Sequence, residues 1–500
     1  MGNSASQILP QAVASGSFYK LGLGAVSGVA PLLEQKIAIL AEANTANQTE
    51  GAQDGGMLVP ITSKEVALKF GYGSPAHKTA MIFIDQLSVG VGLKYFFVPE
   101  GSGTKTGTVL TGTGATITKT GTLILNISGE LVSIGLVKDD TLAEVLANIK
   151  TAINALINLP VLVSTASPTT FVDIDSKWLG QSSAVINASV YSNDSEGITF
   201  AAVKTPGTGE VIPTAELAKY QNDWYVHTLN TLGEGAADAI LDEFQTFNGT
   251  PAAGSGKYAP ENMTPSVFWT ATDTAVLATL QAVTSSRLDY NTNTYVPLPN
   301  AQDMPFMNAA NALGIFVKKS NGDPKQDILQ DAIPGATPPI DGDVGDIINY
   351  TFRDALVKAG CSTIEYREDT YYAGDIVTTY HPEGETDPIF RYVRDIMLAF
   401  NIINQFKAYN LTQKNKTVAP QALPAARITA ANLYRAGVLN EIIRPFVQAG
   451  YIADFDYAKE QLNVSINASN AGRFDALSPN LITSLLRIIA VETPVNKFYG

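Results

Sequence analysis

Between residues 205 and 337 the chain alternates strand-like and helix-like segments three times. DWYVHTL precedes GAADAILDEFQTF, SVFWTAT precedes TAVLATLQAV, and TYVPLPN precedes MPFMNAANALGIF. Runs of β-branched and aromatic residues separated by helical repeats predict a sheet with helices layered on it, the α/β arrangement. The preceding segment is of another kind. TGTVLTGTGATITKTGTLILNISGELVSIGLV is rich in Thr, Val, Ile and Gly with period-2 patches, which predicts hairpins. One helix interrupts it, DDTLAEVLANIKTAINALI. Asp139, Asp140 and Thr141 offer an N-cap, and Leu142, Val145, Leu146, Ile149, Ile153 and Leu156 form one apolar face. Strands resume at VLVST and TTFVDID.

Before this segment, KIAILAE predicts a strand and SKEVALKF a helix, with a turn at GYGS and a helix or strand at HKTAMIFI. After the alternating region, PGATPPIDGDVGD at 334–346 is a Pro/Gly/Asp linker. Beyond it, IINYTFRDALVKAG predicts a helix closed by Gly360, and STIEYRE with DIVTTYH a hairpin. A long helix is expected from Asp387-Pro388, with Ile389, Phe390, Val393, Ile396, Met397, Phe400 and Ile403 on one face. A second is expected over about 430–448, capped by Thr429 and ended by Gly450. LNVSINAS then predicts a strand and NAGRFD a turn.

The fold class is therefore a multidomain mixture of α/β and α+β parts. Residues 1–30 form an extended N-terminal arm and 31–99 the first part of the core. Residues 100–203 form an inserted β-rich module and 204–340 the central α/β domain. Residues 341–485 form an α+β assembly domain and 486–500 a terminal strand arm. LRIIAVET, at 486–493, is apolar on both faces, a strand that needs a partner. Leu486, Arg487, Ile488, Ile489, Ala490, Val491 and Glu492 are accordingly candidates for a subunit interface.

Only 16% of the 500 residues are charged, below the usual share, while small neutral residues abound. Such a surface suits extensive contact with other protein. The net charge is −14, of which residues 341–500 hold −3 and residues 1–340 the remaining −11. Arginine is more skewed: Arg287 alone precedes residue 341. Arg391, Arg394, Arg435 and Arg444 are candidates for interface charge, because the planar guanidinium grips carboxylates bidentately. The acidic total argues against general nucleic-acid binding. The single Cys361 excludes an internal disulfide and a cysteine metal cluster. No run approaches the length of a membrane span, and the first residues lack the pattern of a signal peptide. MGNSAS fits the myristoylation pattern, without a polybasic segment to support it.

Chemistry has few footholds. REDTYYAGDIVTTYHPEGETDPIFRYVRD, 367–395, gathers acids, tyrosines and His381, the usual parts of hydrolytic or metal sites. The acids sit in turns, however, and there is no HExxH, no HxH and no neighbouring histidine. GSGTKTG, 101–107, lacks the Gly that a phosphate-binding loop places before its Lys, and reads as a hairpin turn. DGDVGD, 341–346, puts Gly345 where a calcium loop needs a ligand. No catalytic, cofactor-binding or metal-binding residue is expected, and no cofactor.

Several motifs together resemble the Mu-like contractile tail sheath proteins of bacteriophages. Asp140, Thr141, Ala152, Ile153, Asn154, Ala155, Leu159, Pro160, Val161, Lys177 and Gly180 match the family's inserted module in order. FGYGS, 70–74, is similar to the turn that precedes that module, and Pro334-Gly335 to the end of its central region. Arg367, Val377, Thr378, Thr379, Tyr380 and Asp387 match a later segment. The proline-glycine-valine-tyrosine start of many sheaths is not found. The resemblance implies a structural subunit, not an enzyme, stacked as hexameric rings around an inner tail tube. It implies contraction that drives the tube through the host envelope for genome ejection, without nucleotide hydrolysis. Adjacent sheath subunits, the tube protein, and baseplate and neck or terminator proteins are the implied partners, with no nucleic acid and no membrane insertion. The implied location is the virion, after assembly in the host cytoplasm. Residues 341–485 would lie nearest the tube and 100–203 outside. A tailocin-like sheath, a capsid or adhesin subunit, and a metal-dependent hydrolase built on 367–395 are the alternatives.

Overall fold

The computed structural model describes residues 32–42, 57–58, 62–87, 91–166, 170–235, 238–274, 276–287, 293–382, 390–414, 416–421 and 427–487. The expected arm at 1–30 lies outside them. The chain forms two compact units, one built from Leu33–Phe400 and the other from Asn401 onward.

The first unit opens with β1 (Ile37–Glu42), β2 (Met57–Leu58), α1 (Ser63–Phe70), α2 (Pro75–Gln86) and β3 (Leu93–Val98). A β-rich segment follows: β4 (Gly107–Thr113), β5 (Gly121–Ile127), β6 (Glu130–Leu136), α3 (Leu142–Ala155), β7 (Val161–Ala166), β8 (Phe171–Ser176), β9 (Ala188–Asn193) and β10 (Thr199–Thr205). The alternating part then supplies α4 (Thr214–Ala218), β11 (His227–Asn230), α5 (Ala239–Asn248), β12 (Val267–Thr272), α6 (Leu277–Ser285), β13 (Asn293–Pro297) and α7 (Pro305–Ser320). The unit ends with α8 (Tyr350–Lys358), β14 (Ile364–Arg367), β15 (Thr370–Ala373) and the start of α9 (Val393–Gln413).

The main sheet has the order β13-β12-β11-β1-β3-β2. All its strands run parallel except β2, which is antiparallel to β3. Every residue of β1 is buried, as expected for a central parallel strand covered on both faces. Strand order reverses at β1, with β3 on one side and β11 on the other. Helix α7 packs on α2 and β12. Its buried Ala309, Ala310 and Ala312 let it lie close, while Leu313, Phe316 and Val317 fill the layer. Beneath it His227 accepts a hydrogen bond from Trp269 Nε1 at Nδ1 (3.1 Å), with Nε2 2.9 Å from Gln35 Oε1. Burial holds this imidazole well below its ordinary pKa, at about 3, so it serves as a neutral core residue.

The β-rich module consists of two antiparallel sheets, β10-β4-β8-β7 and β6-β5-β9. Strand β4 does not form the expected hairpin with the next strand; its partners are β8 and β10, far away in sequence. Helix α3 carries a capping box, with Thr141 and Glu144 each satisfying the other's backbone N–H. It buries Val145, Leu146, Ile149 and Ile153, while Leu156 is exposed. Asn154 then occupies the edge of β7, donating to Val163 O (3.2 Å) and accepting from Val163 N (2.8 Å). That side chain blocks the edge against further strand pairing. Met304 and Phe306 belong to the module's apolar cluster, so the module shares a core with the start of α7.

Several expectations for the later segments are corrected. The partner of β14 is TYYA in β15, not DIVTTYH, because Glu368 and Asp369 take positive φ (51° and 54°) and close a two-residue turn. The long helix begins at Val393 rather than Asp387. Thr378 N–H bonds to Arg391 O (2.7 Å) and Val377 bridges Tyr392, so those residues are held in strand pairing; Asp387 and Pro388 lie outside the described residues. In the second unit, NAGRFD is not a turn but part of a strand.

The second unit continues from α9 through β16 (Thr417–Val418), β17 (Ile428–Thr429), α10 (Ala431–Val438), α11 (Arg444–Gln448), α12 (Phe455–Gln461), β18 (Asn463–Asn467) and β19 (Asn470–Leu477). Ala430, not Thr429, precedes α10, since Thr429 is engaged in pairing with Val418. A π turn at Leu439–Ile443 joins α10 to α11. Pro445 explains it: proline has no N–H for the carbonyl four residues back and its ring crowds that turn, so the helix widens there.

Candidate functional site

The acidic, tyrosine-rich stretch turns out to cover a sheet edge. Ser362 N–H donates to Tyr295 O (3.0 Å) and Thr379 N–H to Asn293 O (3.1 Å), so the chain runs along the outer side of β13. Val377 N–H donates to Ser362 Oγ (3.0 Å), which ties the two passes together. Tyr371 is buried and donates to Pro299 O (2.6 Å). Thr378 Oγ1 donates to Phe390 O (2.8 Å). An open parallel edge would otherwise template pairing with another chain. His381 rests with Nδ1 against Thr379 O, and burial lowers its pKa. Glu383, Glu385 and Asp387 lie outside the described residues. Among the described residues, no group of three His, Cys, Asp or Glu side chains could hold a metal. Replacing His381 with Ala is expected to leave the melting temperature nearly unchanged, within about 0.5 kcal/mol of stability. Loss of a bound metal or of a hydrolytic activity in that variant would contradict this placement.

The other motifs also resolve into architecture. GSGTKTG is not a hairpin turn. It runs beside a segment a hundred residues on, where Thr104 and Thr208 exchange backbone hydrogen bonds (3.0 and 3.3 Å). A Cβ at Gly103 would lie 1.4 Å from Thr208 O, so only glycine allows the two passes to meet. In DGDVGD, Asp341 and Asp343 carboxylates accept the N–H groups of Asp343 (3.1 Å) and Gly345 (2.8 Å), forming successive turns.

The module is seated by side chains that the sequence motifs supply. Lys177 donates to Tyr72 O (3.1 Å) and Ile157 O (2.6 Å), and burial lowers its pKa to about 8. Gly73, with φ +80°, lies against the backbone of Leu159. Lys78, nearly buried, pairs with Glu130, and Asn126 bonds to Gln302. At the neck, where the chain enters and leaves the module, Glu42 accepts hydrogen bonds from Gly101 N–H (3.2 Å) and Ser182 Oγ. Sequence reasoning missed Glu42. The available signal was an acid closing an apolar strand, at the end of which open parallel sheets place functional groups.

The four candidate arginines are not gathered in one place. Arg391 and Arg394 are buried in the first unit. Arg394 donates to Lys325 O (3.0 Å) and pairs with Asp395 (2.6 Å). In the second unit, Arg435 donates to the carbonyls of Leu462 (2.9 Å) and Lys459. Arg444 is exposed, its guanidinium 5.0 Å from the Phe455 ring centre. Leu486 is 73% exposed; Ile488, Ile489, Ala490, Val491 and Glu492 lie outside the described residues. The hairpin β18–β19 pairs only with itself among the described strands, and one side meets α10 through Phe474 and Tyr434 (ring centres 5.5 Å apart).

No protein-family model and no curated protein matches the chain. Among solved structures, the sheath tail protein from Desulfitobacterium hafniense is similar over 94% of this chain and 100% of that one, at 13% identity and a TM-score of 0.45. The sheath tail protein Lin1278 from Listeria innocua is similar over 90% and 95%, at 11% identity and a TM-score of 0.44. A chain of the PVC sheath complex of an extracellular contractile injection system, in its contracted state, is similar over 97% and 98%, at 8% identity and a TM-score of 0.45.

Proposed function

We propose that this chain is the sheath subunit of a contractile tail or related contractile injection machine. It polymerises as stacked rings around an inner tube and shortens to drive the tube forward. One observation carries the reading. The motifs shared with the sheath family are scattered over a hundred residues, yet they converge on the seat of the module. The FGYGS turn lies against the exit of α3, Lys177 clamps both, Asn154 closes the β7 edge, and Gly180 packs in the neck. Later family residues, Val377 to Thr379, cover the β13 edge. Among the described residues, those shared build a body and none gathers around reactive chemistry, which fits an assembly protein.

In this reading the module is the outer decoration and the second unit carries the links between subunits. Leu486 to Glu492 add as a strand to the β18–β19 hairpin of an adjacent subunit, since an isolated two-stranded hairpin is marginal by itself. The arm at 1–30 makes a similar link. Exposed Arg444 is the arginine placed to reach another chain, while Arg391 and Arg394 serve inside their own unit. Tube, baseplate and neck proteins are the partners, and the particle is its location. Sedimentation of the purified full chain tests this: the proposal requires a large polymer that forms with rising protein concentration. A species that stays monomeric at all concentrations and salts would refute it.

A further inference from the structure

Glu42 ends β1 where the strand order of the main sheet reverses, the place at which open parallel sheets receive ligands. Here the place is taken by the neck of the module. Glu42 is 2% exposed. One oxygen accepts Gly101 N–H, from the chain entering the module, and the other accepts Ser182 Oγ–H, from inside it. Ser182 Oγ in turn accepts Trp178 Nε1–H (3.1 Å). Gly101, Gly180 and Gly209 crowd around the carboxyl. A Cβ on Gly180 would stand 3.0 Å from Gly209 O and 3.4 Å from Glu42 itself. The group is therefore held between body and module, buried from bulk solvent.

Its charged surroundings are unfavourable to a carboxylate. Glu100, beside Gly101, repels it. On the module side Lys177 is engaged with the carbonyls of Tyr72 and Ile157. Lys94 on β3 and His227 on β11 face the opposite end of β1, paired in register with Ala38 and Ile37. Glu210, past the neck, lies against Gly235. Residues 43–56, which follow directly, contain no Lys, Arg or His. Lys204, Glu234 and Asp273 line the cavity beside Ser182, with the Lys204 ammonium engaged by Ala184 O (2.6 Å) and Asn187 Oδ1 (2.7 Å). Among the described residues no cation pairs with Glu42, and a buried carboxyl with two donors and no paired cation is tolerated when neutral and strained when ionised.

We propose that Glu42 is a proton-operated latch at the neck of the module. With the carboxyl protonated, the neck is held against the end of β1. On ionisation the carboxylate leaves its buried seat and the neck loosens. Burial raises the group from 4.5 to about 7, so the latch works near neutrality. The closed neck holds the proton more tightly than the open one, so closure is strongest below the open-state value and weakens as pH rises toward 7. Between pH 5.5 and 8.5 closure weakens by roughly 30-fold, and it levels off above that.

Hydrogen exchange of the full chain, read in peptides covering 98–106 and 178–184 and corrected for intrinsic rates, tests it. The wild type should lose roughly 30-fold in protection between pH 5.5 and 8.5. Glu42→Gln, which mimics the neutral group, should keep its protection flat over that range. Ser182→Ala, which keeps the carboxyl but removes the donor that favours its ionised form, should lose more than the wild type. A wild type with flat protection, or a Glu42→Gln variant that loosens as the wild type does, would overturn the latch.

Discussion

Gly73→Val unseats the β-rich module and lowers the denaturation midpoint of the protein. Gly73 has φ +80°, a conformation that a β-branched residue resists, and a Cβ there would stand 2.1 Å from Leu159 O and 3.2 Å from Asn158 O. Both neighbours are backbone, so no rotamer change relieves the clash. Nor can the backbone retreat freely: Leu159 N–H is held by Leu156 O (3.0 Å), and Lys177 N–H holds Pro160 O (2.9 Å). Backbone strain and overpacking together cost about 3–5 kcal/mol. Chemical denaturation followed by tryptophan fluorescence reads it from both sides, since Trp178 lies in the module and Trp269 in the main sheet. The Trp178 transition should move further than the Trp269 transition. A variant with unchanged midpoints would show that the FGYGS turn does not hold the module.

Truncation after Leu486 abolishes polymerisation while leaving a folded, soluble chain. Contacts before the cut tie the end of the second unit down: Ile452 bridges Ile482, and Thr483 N–H reaches Tyr451 O (3.1 Å). What is lost is a segment apolar on both faces, RIIAVET, followed by Pro494, which has no N–H with which to continue a ladder. If that segment is the strand donated to a neighbour, its loss removes a whole strand's backbone hydrogen bonds from every subunit contact. The sedimentation profile should collapse to a single small species, with circular dichroism unchanged. A truncated chain that still forms normal polymers would place residues 487–500 outside the assembly contacts.

What could be read from the sequence followed the strength of the local signal. The alternation at 205–337 gave β11 to β13 and α5 to α7 because each run is long, apolar and bounded by turn residues. The face of α3 and its Thr141 cap were legible for the same reason, down to the buried Val145, Leu146, Ile149 and Ile153. Failures arose where pairing is distant or the turn is unmarked. Strand β4 finds β8 and β10 across an intervening helix and hairpin, which no local pattern specifies. Glu368-Asp369 closes a tight turn without the expected glycine, so the partner of β14 was sought too far along. Asn470, Ala471 and Gly472 looked like a turn and are the start of β19. The candidate site divided in the same way. In 367–395 the turn at Glu368-Asp369 fits the expectation that the acids sit in turns, while the hairpin partner and the helix start were misplaced, and the edge the stretch covers depends on β13, seventy residues earlier. Glu42 showed in the sequence only as an acid closing an apolar strand; the contacts that bury it come from Gly101 and Ser182, both remote in sequence.

Electron microscopy of the purified full-length protein tests the central claim most directly. The account predicts hollow, regularly striated cylinders of uniform width, with an open bore able to take a tube. Closed shells, solid fibres, or dispersed monomers at high protein concentration would contradict it.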